Sequence, residues 1–317
     1  MSKKSNGNLE STGEVLERIP KPKKKQVYAP VDVNLPALPL FEIRRRTTDT
    51  GAIWKSSDGS VRVAFMAGKP SINAQKMLIY LLSKIHRGKG GRLDIARLKK
   101  EPVSFYLSEI CSHLGIHNNR NNRKRIKEDL IKLGYISIGY HNKYSIRGTK
   151  GEASYTKVKS VALFEVDLFN ESESDAEDRQ LPLWQNTIKF NEIILRNLDS
   201  RMYRLLSVEQ VRNLQSSVAV RIHGILSLHN QYKEWPISLN KLAEQIPILV
   251  TSERKAKQTI KKASDELKKK GFISGIRFYK NGDGQEIVVF TFPQRLINRG
   301  VSNEYAGGYL TSTQRGI

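Results

Sequence analysis

The sequence predicts an α+β protein built from two tandem winged-helix domains, each a helix-turn-helix followed by a β-hairpin wing. Three observations predict it. Two blocks repeat one order of elements: helix, helix, polar turn, basic helix, strand. Their basic helices run into nearly the same residues, Gly134-Tyr-Ile-Ser137 and Gly271-Phe-Ile-Ser274. Finally, 54 Lys and Arg stand against 31 Asp and Glu in 317 residues, a net charge of +23 that needs a polyanionic partner.

Three segments fall outside the repeat. Residues 1–35 are rich in Lys, Pro, Ser and Gly, with the run Pro20-Lys-Pro-Lys-Lys-Lys25, and read as a disordered basic tail. They carry only +3 of the net charge, so the positive field belongs to the folded body. The tail reads as a solvated leader, with phosphate or anionic lipid as its alternative contact. Glu171 to Asp178 places five acids in eight residues and marks an acidic linker over 171–182. Residues 296–317, rich in Gly, Ser and Thr, read as a flexible C-terminal tail. The N-terminal winged-helix domain is therefore expected at 36–170 and the C-terminal one at 183–295.

In the first block, Asn73 to His86 carries apolar residues at 77, 78, 81, 82 and 85, a helical period. Leu107 to Ile116, apolar at 107, 110, 111 and 114, is the first helix of the helix-turn-helix. A basic helix follows from about Asn118 to Leu133, or from as late as Arg123, because the asparagines of 118–122 are poor helix formers. Tyr135 to Ile138 alternates as a strand, and both Tyr144–Ile146 and Val158–Phe169 qualify as its partner. The second block repeats the plan with helices at Ser217–Tyr232, Leu239–Ile248 and about Thr251–Lys270. Its strands, Ile276–Tyr279 and Ile287–Phe292, flank Asn281-Gly-Asp-Gly284, a hairpin signal.

Helical spacing gives each basic helix one core stripe, Ile126, Leu130 and Leu133 in the first and Ala256, Ile260, Ala263 and Leu267 in the second. The opposite face of the second helix carries Thr251, Arg254, Gln258, Lys261, Lys262 and Asp265, with Lys255 and Lys257 beside them. A helix fits the DNA major groove, where Arg and Lys pair with guanine O6/N7 and Gln with adenine N6/N7. Lysines at its flanks meet phosphates. In the first helix the corresponding candidates are Arg120, Asn121 and Lys124, with Arg123, Arg125 and Lys127 on the flanks. Each hairpin tip adds a lysine, Lys143 and Lys280, as a backbone contact. A charged helix face that is merely solvated is the competing reading. Eight basic residues between Arg254 and Lys270, against three acids from Glu253 on, favour DNA.

Chemistry of other kinds leaves no signature. Cys111 is the only cysteine, which excludes an intrachain disulfide and a thiolate metal cluster and fits a small core residue. The six histidines include no pair one residue apart, as a rolling-circle nickase needs for its metal. His113 and His117 are four apart, but Gly115 lies between them and no carboxylate ligand follows, so His113 reads as helix surface. His117-Asn-Asn-Arg120 has the His-x-x-Arg spacing of tyrosine recombinases, yet a strand at Tyr135 leaves no room for their helical array. Gly88-Lys-Gly-Gly91 lacks the Ser/Thr and the helix of a phosphate-binding loop. Phe278, Phe290 and Phe292 alternate with polar neighbours as half-buried wing strands do, rather than as a stacking platform for single strands. The longest apolar run, Met77 to Leu82, is too short to span a bilayer. The expectation is a cytoplasmic binding protein with no catalytic residues, cofactor, metal or membrane contact.

These features together resemble the plasmid replication initiators of the Rep type, over about residues 36–295. The resemblance rests on the opening Leu35-Pro-Ala-Leu-Pro-Leu-Phe41, the Met77-Leu-Ile-Tyr-Leu-Leu82 helix, the duplicated basic units, and Asp199-Ser-Arg-Met-Tyr-Arg-Leu-Leu206. The opening is similar to that of the replication initiator A group. The resemblance implies sequence-specific binding of double-stranded DNA at repeated origin sites (iterons), opening of an adjacent A·T-rich segment, and recruitment of host helicase and polymerase. It gives the main base-reading role to Thr251, Arg254, Lys255, Lys257, Gln258, Lys261 and Lys262, and assigns dimerisation, hence a homodimer, and backbone contact to the N-terminal unit. A winged-helix transcriptional regulator is the alternative, since it shares every physical feature above.

Overall fold

The computed structural model describes residues 27–43, 50–55, 61–87, 92–140, 146–148, 151–153, 160–168, 185–246, 248 and 252–294. β1 (Tyr28–Asp32) comes first, then a 3-10 turn at Leu35–Ala37, β2 (Ala52–Lys55), β3 (Val61–Phe65), α1 (Ile72–Ser83) and α2 (Ile95–Lys100). The first helix-turn-helix follows as β4 (Val103–Phe105), α3 (Leu107–Leu114) and α4 (Arg120–Gly134). Beyond it lie β5 (Ile136–Tyr140), β6 (Ile146–Gly148), β7 (Gly151–Ala153), β8 (Ser160–Ala162), β9 (Phe164–Asp167) and β10 (Asn186–Phe190). Next come α5 (Glu192–Asp199), β11 (Tyr203–Ser207), α6 (Val208–Arg212) and α7 (Ser217–Leu226). The second unit ends the description with β12 (Glu234–Ser238), α8 (Leu239–Gln245), α9 (Glu253–Lys269), β13 (Gly275–Lys280) and β14 (Glu286–Thr291).

Local chemistry sets most helix ends. Side chains of Ser71, Asn119, Ser216, Ser238 and Ser252 accept from backbone N–H groups in the first turns of α1, α4, α7, α8 and α9. Gly115 (φ 69°) and Gly271 (φ 68°) take the left-handed conformation that stops α3 and follows α9. The helix expected over Ser217–Tyr232 stops at Leu226, where the chain tightens into turns that place His229 flat on Trp235, 4.0 Å between ring centres.

The second unit is a complete winged helix. Its sheet has the order β12-β14-β13, all antiparallel, with Ile276 opposite Phe290 and Ile237 opposite Val288. Asn281 shapes the hairpin, its side-chain oxygen accepting from the N–H groups of Asp283 (3.1 Å) and Gln285 (2.8 Å). Pro236 conceals β12 from sequence reading, but β12 is an edge strand, where a missing N–H is tolerated.

The first unit is closed differently. β5 lies between β3 and β8 in a four-stranded sheet of order β2-β3-β5-β8, so Val158–Phe169 supplies its partner. That same segment also gives β9, which joins a second sheet of order β4-β10-β9. Ile146 pairs instead within a small β6–β7 ribbon.

Two expected boundaries move. The tail read over 1–35 is structured from Tyr28, because β1 pairs with β11 throughout, Val31 opposite Arg204. Its last residue, Asp32, is fully buried and accepts from the Asn34 N–H (2.8 Å) and from the Asn197 amide on α5 (2.7 Å). The second block, expected from 183, begins with a strand that belongs to the first, since Ile188 of β10 lies opposite both Val103 of β4 and Val166 of β9. The acidic stretch 171–182, Gly88–Gly91 and the tail 296–317 lie outside the described residues.

One hydrophobic core runs through both units, from Leu40, Phe65 and Met77 to Ile260, Leu267 and Phe290. His113, expected on the helix surface, is buried and stacks on Tyr80 at 4.5 Å, because α3 turns it toward α1. Burial, with the nearby Arg212 and Lys76 charges, lowers its pKa to about 4. Burial also holds His223 at about 4, and His229 too, with help from Arg204.

Two outcomes follow. Ile188→Ala removes apolar volume from the strand that joins β4 to β9 and is expected to cost about 2–5 kcal/mol in denaturant unfolding, within a single transition. The depressed histidines bind protons more readily when unfolded, so stability is present above pH 6.5 and is lost as pH falls toward 4. For His223 alone the loss is about 3 kcal/mol. Urea titrations at pH 7 and pH 5 should capture about 2 kcal/mol of it, and His223→Phe should remove that share of the difference.

Candidate nucleic-acid interface

The two basic helices are placed by their apolar stripes. Ala256, Ile260, Ala263 and Leu267 are all buried, as are Ile126, Leu130 and Leu133. Each stripe fixes which side its helix turns to solvent. On α9, Arg254, Lys255, Gln258, Lys261, Lys262 and Asp265 are exposed, as the sequence predicts. Thr251 lies outside the described residues, and the helix starts two positions later, with Ser252 as its cap.

Lys257 departs from that face. It is half-buried, forms an ion pair with Glu286 on β14, and lies 4.8 Å from the centre of the Phe278 ring. The Glu286 carboxylate is nearly buried, so the lysine neutralises it and joins α9 to the wing. Sequence spacing puts Lys257 on the flank and cannot show a partner 29 residues away.

On α4, Arg120, Asn121, Lys124 and Arg125 are exposed. The helix begins at Arg120, between the two starts expected, because Asn119 caps it while Asn121 and Asn122 join its first turn. Asn119 accepts from the Asn122 N–H (2.9 Å), Asn122 donates back to the His117 carbonyl (2.8 Å), and Asn118 accepts from Arg123 Nε (2.7 Å). Arg123 is thereby half-buried and held against the turn. Lys127 is also half-buried and lines a groove of about 840 Å³ with Ile131, Tyr135, Val166, Lys189 and Glu192.

What orients α4 is an acid that sequence reading left unassigned. Asp129 accepts from the Ser71 N–H (2.8 Å) and hydroxyl (2.5 Å), tying the middle of α4 to the first turn of α1. Burial raises its pKa, while those same bonds to Ser71 oppose the rise. Its signal was the i, i+3 spacing from Ile126, which puts it beside the core stripe.

At the second wing, Lys280 is exposed at the end of β13, beside the Asn281 turn. The corresponding Lys143 and its neighbour Asn142 lie outside the described residues. Among the described residues no group of His, Cys, Asp and Glu is arranged to hold a metal. Cys111 is fully buried. No helix among them is long and apolar enough to cross a membrane.

A helix-turn-helix with a wing, twice in one chain and each with cations on its outer helix, defines a winged-helix DNA-binding protein. The family described as "Initiator Replication protein, WH1" matches residues 60–227, more than half of the chain, and the chain belongs to that family. Its span crosses the acidic stretch and closes just after α7, so it takes in β10. Among solved structures, the crystal structure of domains 2 and 3 of RctB, as selenomethionine derivatives, aligns with a TM-score of 0.50 at 10% identity, covering 82% of this chain and 98% of that one. A second structure of RctB domains 2–3 covers 84% and 99%, with a TM-score of 0.49 and 10% identity. At that identity the likeness is one of fold. Among curated proteins no relative matches.

The two kinds of α9 lysine should separate on substitution. Lys257→Ala is expected to lower unfolding stability by about 1 kcal/mol, since it strands Glu286 and uncovers Phe278. Lys261→Ala should stay within about 0.5 kcal/mol of the parent. Thermal melts of the two variants side by side check the contrast.

Proposed function

We propose that the protein binds repeated sites in double-stranded origin DNA through α4 and α9 and starts replication of the replicon that carries it. The observation that carries the reading is α9 itself: a helix capped at Ser252, fixed on its inner side by four buried apolar residues, with Arg254, Lys255, Gln258, Lys261 and Lys262 exposed. Membership of a replication-initiator family, whose match spans α4 and ends before α9, supports origin DNA as the target of the chain. Arg254 and Gln258, near the N-terminal half, are the proposed base readers. Lys255, Lys261, Lys262 and Lys280 meet phosphates, while Lys257 serves the wing. On α4, Arg120, Asn121, Lys124 and Arg125 face the duplex, while Arg123 is held against the turn by Asn118.

In this reading the chain acts as a cytoplasmic binding protein rather than an enzyme. Iterons are its sites, a second copy and the host helicase are its partners, and bending at flexible pyrimidine–purine steps opens the origin. A transcriptional regulator of the same fold shares the DNA contacts but not the replication. A plasmid carrying only this gene and its flanking DNA decides between them. Maintenance of that plasmid in a suitable host is the expected result, and operator occupancy without maintenance would favour the regulator.

Two further outcomes belong here. Arg254→Ala or Gln258→Ala is expected to weaken specific binding by about 1–3 kcal/mol and relax preference at one base pair, leaving binding to random duplex nearly unchanged. Neutralising about eight phosphates gives a slope near −7 for log K against log salt, read from titrations between low and physiological salt.

A further inference from the structure

The four-residue turn Asn213–Ser216 joins α6 to α7 and is gripped from both units. From one side, Lys76 on α1 donates through Nζ to the carbonyls of Leu214 (2.5 Å) and Arg212 (3.2 Å). From the other, Glu266 on α9 accepts from the N–H groups of Gln215 (2.6 Å) and Ser216 (3.0 Å). The carboxylate thus sits at the N-terminus of α7, where backbone amides favour a negative charge. Arg212 extends the grip, donating to the Ser112 carbonyl in the last turn of α3 (3.2 Å). His113 beside it is stacked on Tyr80 of α1. One turn therefore connects the helix-turn-helix of the first unit directly to α9 of the second.

Every one of these bonds has an ionised side chain on one end and a backbone group on the other, the stronger and more directional class. These directional bonds add to the interdigitated apolar packing and the shared strands in fixing one register at the turn. Neither Lys76 nor Glu266 lies on an outer helix face; both are partly buried. Burial lowers the pKa of Lys76, and Glu266 opposes that shift, as two charges facing each other across the turn should.

We propose that Lys76 and Glu266 are positioning residues that lock the relative orientation of α4 and α9, and so set the spacing between the two half-sites the protein accepts. The proposal rests on the reading that both helices contact one duplex. One inserted base pair rotates the second half-site by about 35° and moves it by about 3.4 Å. A locked pair of helices cannot follow such a change; a loosened pair can.

The test uses the full chain and the duplex that the parent protein selects from a randomised pool, remade with zero to three base pairs added between its half-sites. The parent should lose roughly tenfold in affinity per mismatched spacing, the scale of effective concentration forfeited when one module disengages. Lys76→Met and Glu266→Ala should reduce that loss to about twofold or less while binding an isolated half-site as the parent does. Lys76→Arg, which retains a donor, should restore the sharp optimum. Spin labels at Glu128→Cys and Asp265→Cys, both exposed positions, report the distance between α4 and α9 in the free protein, and the distribution should broaden in Lys76→Met and Glu266→Ala. A distribution as narrow as the parent's, with an unchanged spacing optimum, overturns the proposal and leaves DNA binding intact. A parent protein that selects no two-part site overturns the two-helix reading instead, and the label distances still decide whether the turn is a lock.

Discussion

The molecule is arranged around one non-local pairing, the insertion of β10 between β4 and β9. β4 leads directly into α3, and β9 packs against α4, where Val166 meets Gly134. A strand held by both therefore fixes the two ends of the first helix-turn-helix at once. Ile188 and Phe190 seal the insertion, with Phe190 edge-on to Phe164 at 5.9 Å. In the second unit the equivalent place beside β12 is taken by β14, delivered by a tight hairpin only a few residues from its neighbour. The second unit closes itself, whereas the first is completed by chain from beyond the acidic stretch. β1 makes the return donation, pairing with β11 at the threshold of the second unit. Loop-closure entropy makes such pairings slow to form, and once formed they couple the units into one cooperative body.

A buried charge holds the seam between them. Arg221 on α7 is completely buried with no carboxylate beside it among the described residues, and burial lowers its pKa to about 10, so it stays charged at neutral pH. Its guanidinium donates to the carbonyls of Pro36 (3.3 Å), Leu38 (2.8 Å) and Gln245 (3.0 Å). The 3-10 turn of the opening segment and the end of α8 are thus bound to the same helix. Leaving those carbonyls would strip a desolvated cation of its partners, at a cost of several kcal/mol. Apolar packing brings the segments together; the arginine fixes where they stop.

How much of this was legible in the sequence follows from the range of each interaction. The α9 stripe, the Asn281 turn and both helix-turn-helix units rest on contacts between near neighbours, and periodicity reads them directly. β10 carries no mark of which sheet it will enter, because its partners lie about 80 and about 20 residues upstream. β1 and β12 each contain a proline, Pro30 and Pro236, tolerated only because neither strand is flanked on both sides. The site divides in the same way. Exposure of Arg254 and Gln258 follows from the stripe on their own helix, whereas Lys257 and His113 are claimed by Glu286 and Tyr80 from other elements. Among the asparagines of α4, capping chemistry takes Asn119 and Asn122 and leaves Asn121 to solvent.

The charge on α4 runs against the local rules for a stable helix. Arg120, Arg123, Lys124 and Lys127 recur at three- and four-residue spacing, where like charges repel by a few tenths of a kcal/mol per pair. They also crowd the N-terminal half of the helix, the end at which exposed amides already carry positive charge, and no acid stands in the first turn to offset them. The helix therefore forms because Ile126, Leu130 and Leu133 anchor it and Asp129 ties it to α1, despite its own surface. A face whose purpose was solubility would mix signs and place acids at that end. A cation cluster maintained against both helix dipole and mutual repulsion accords with the net charge of the chain and with the replication-initiator family to which it belongs.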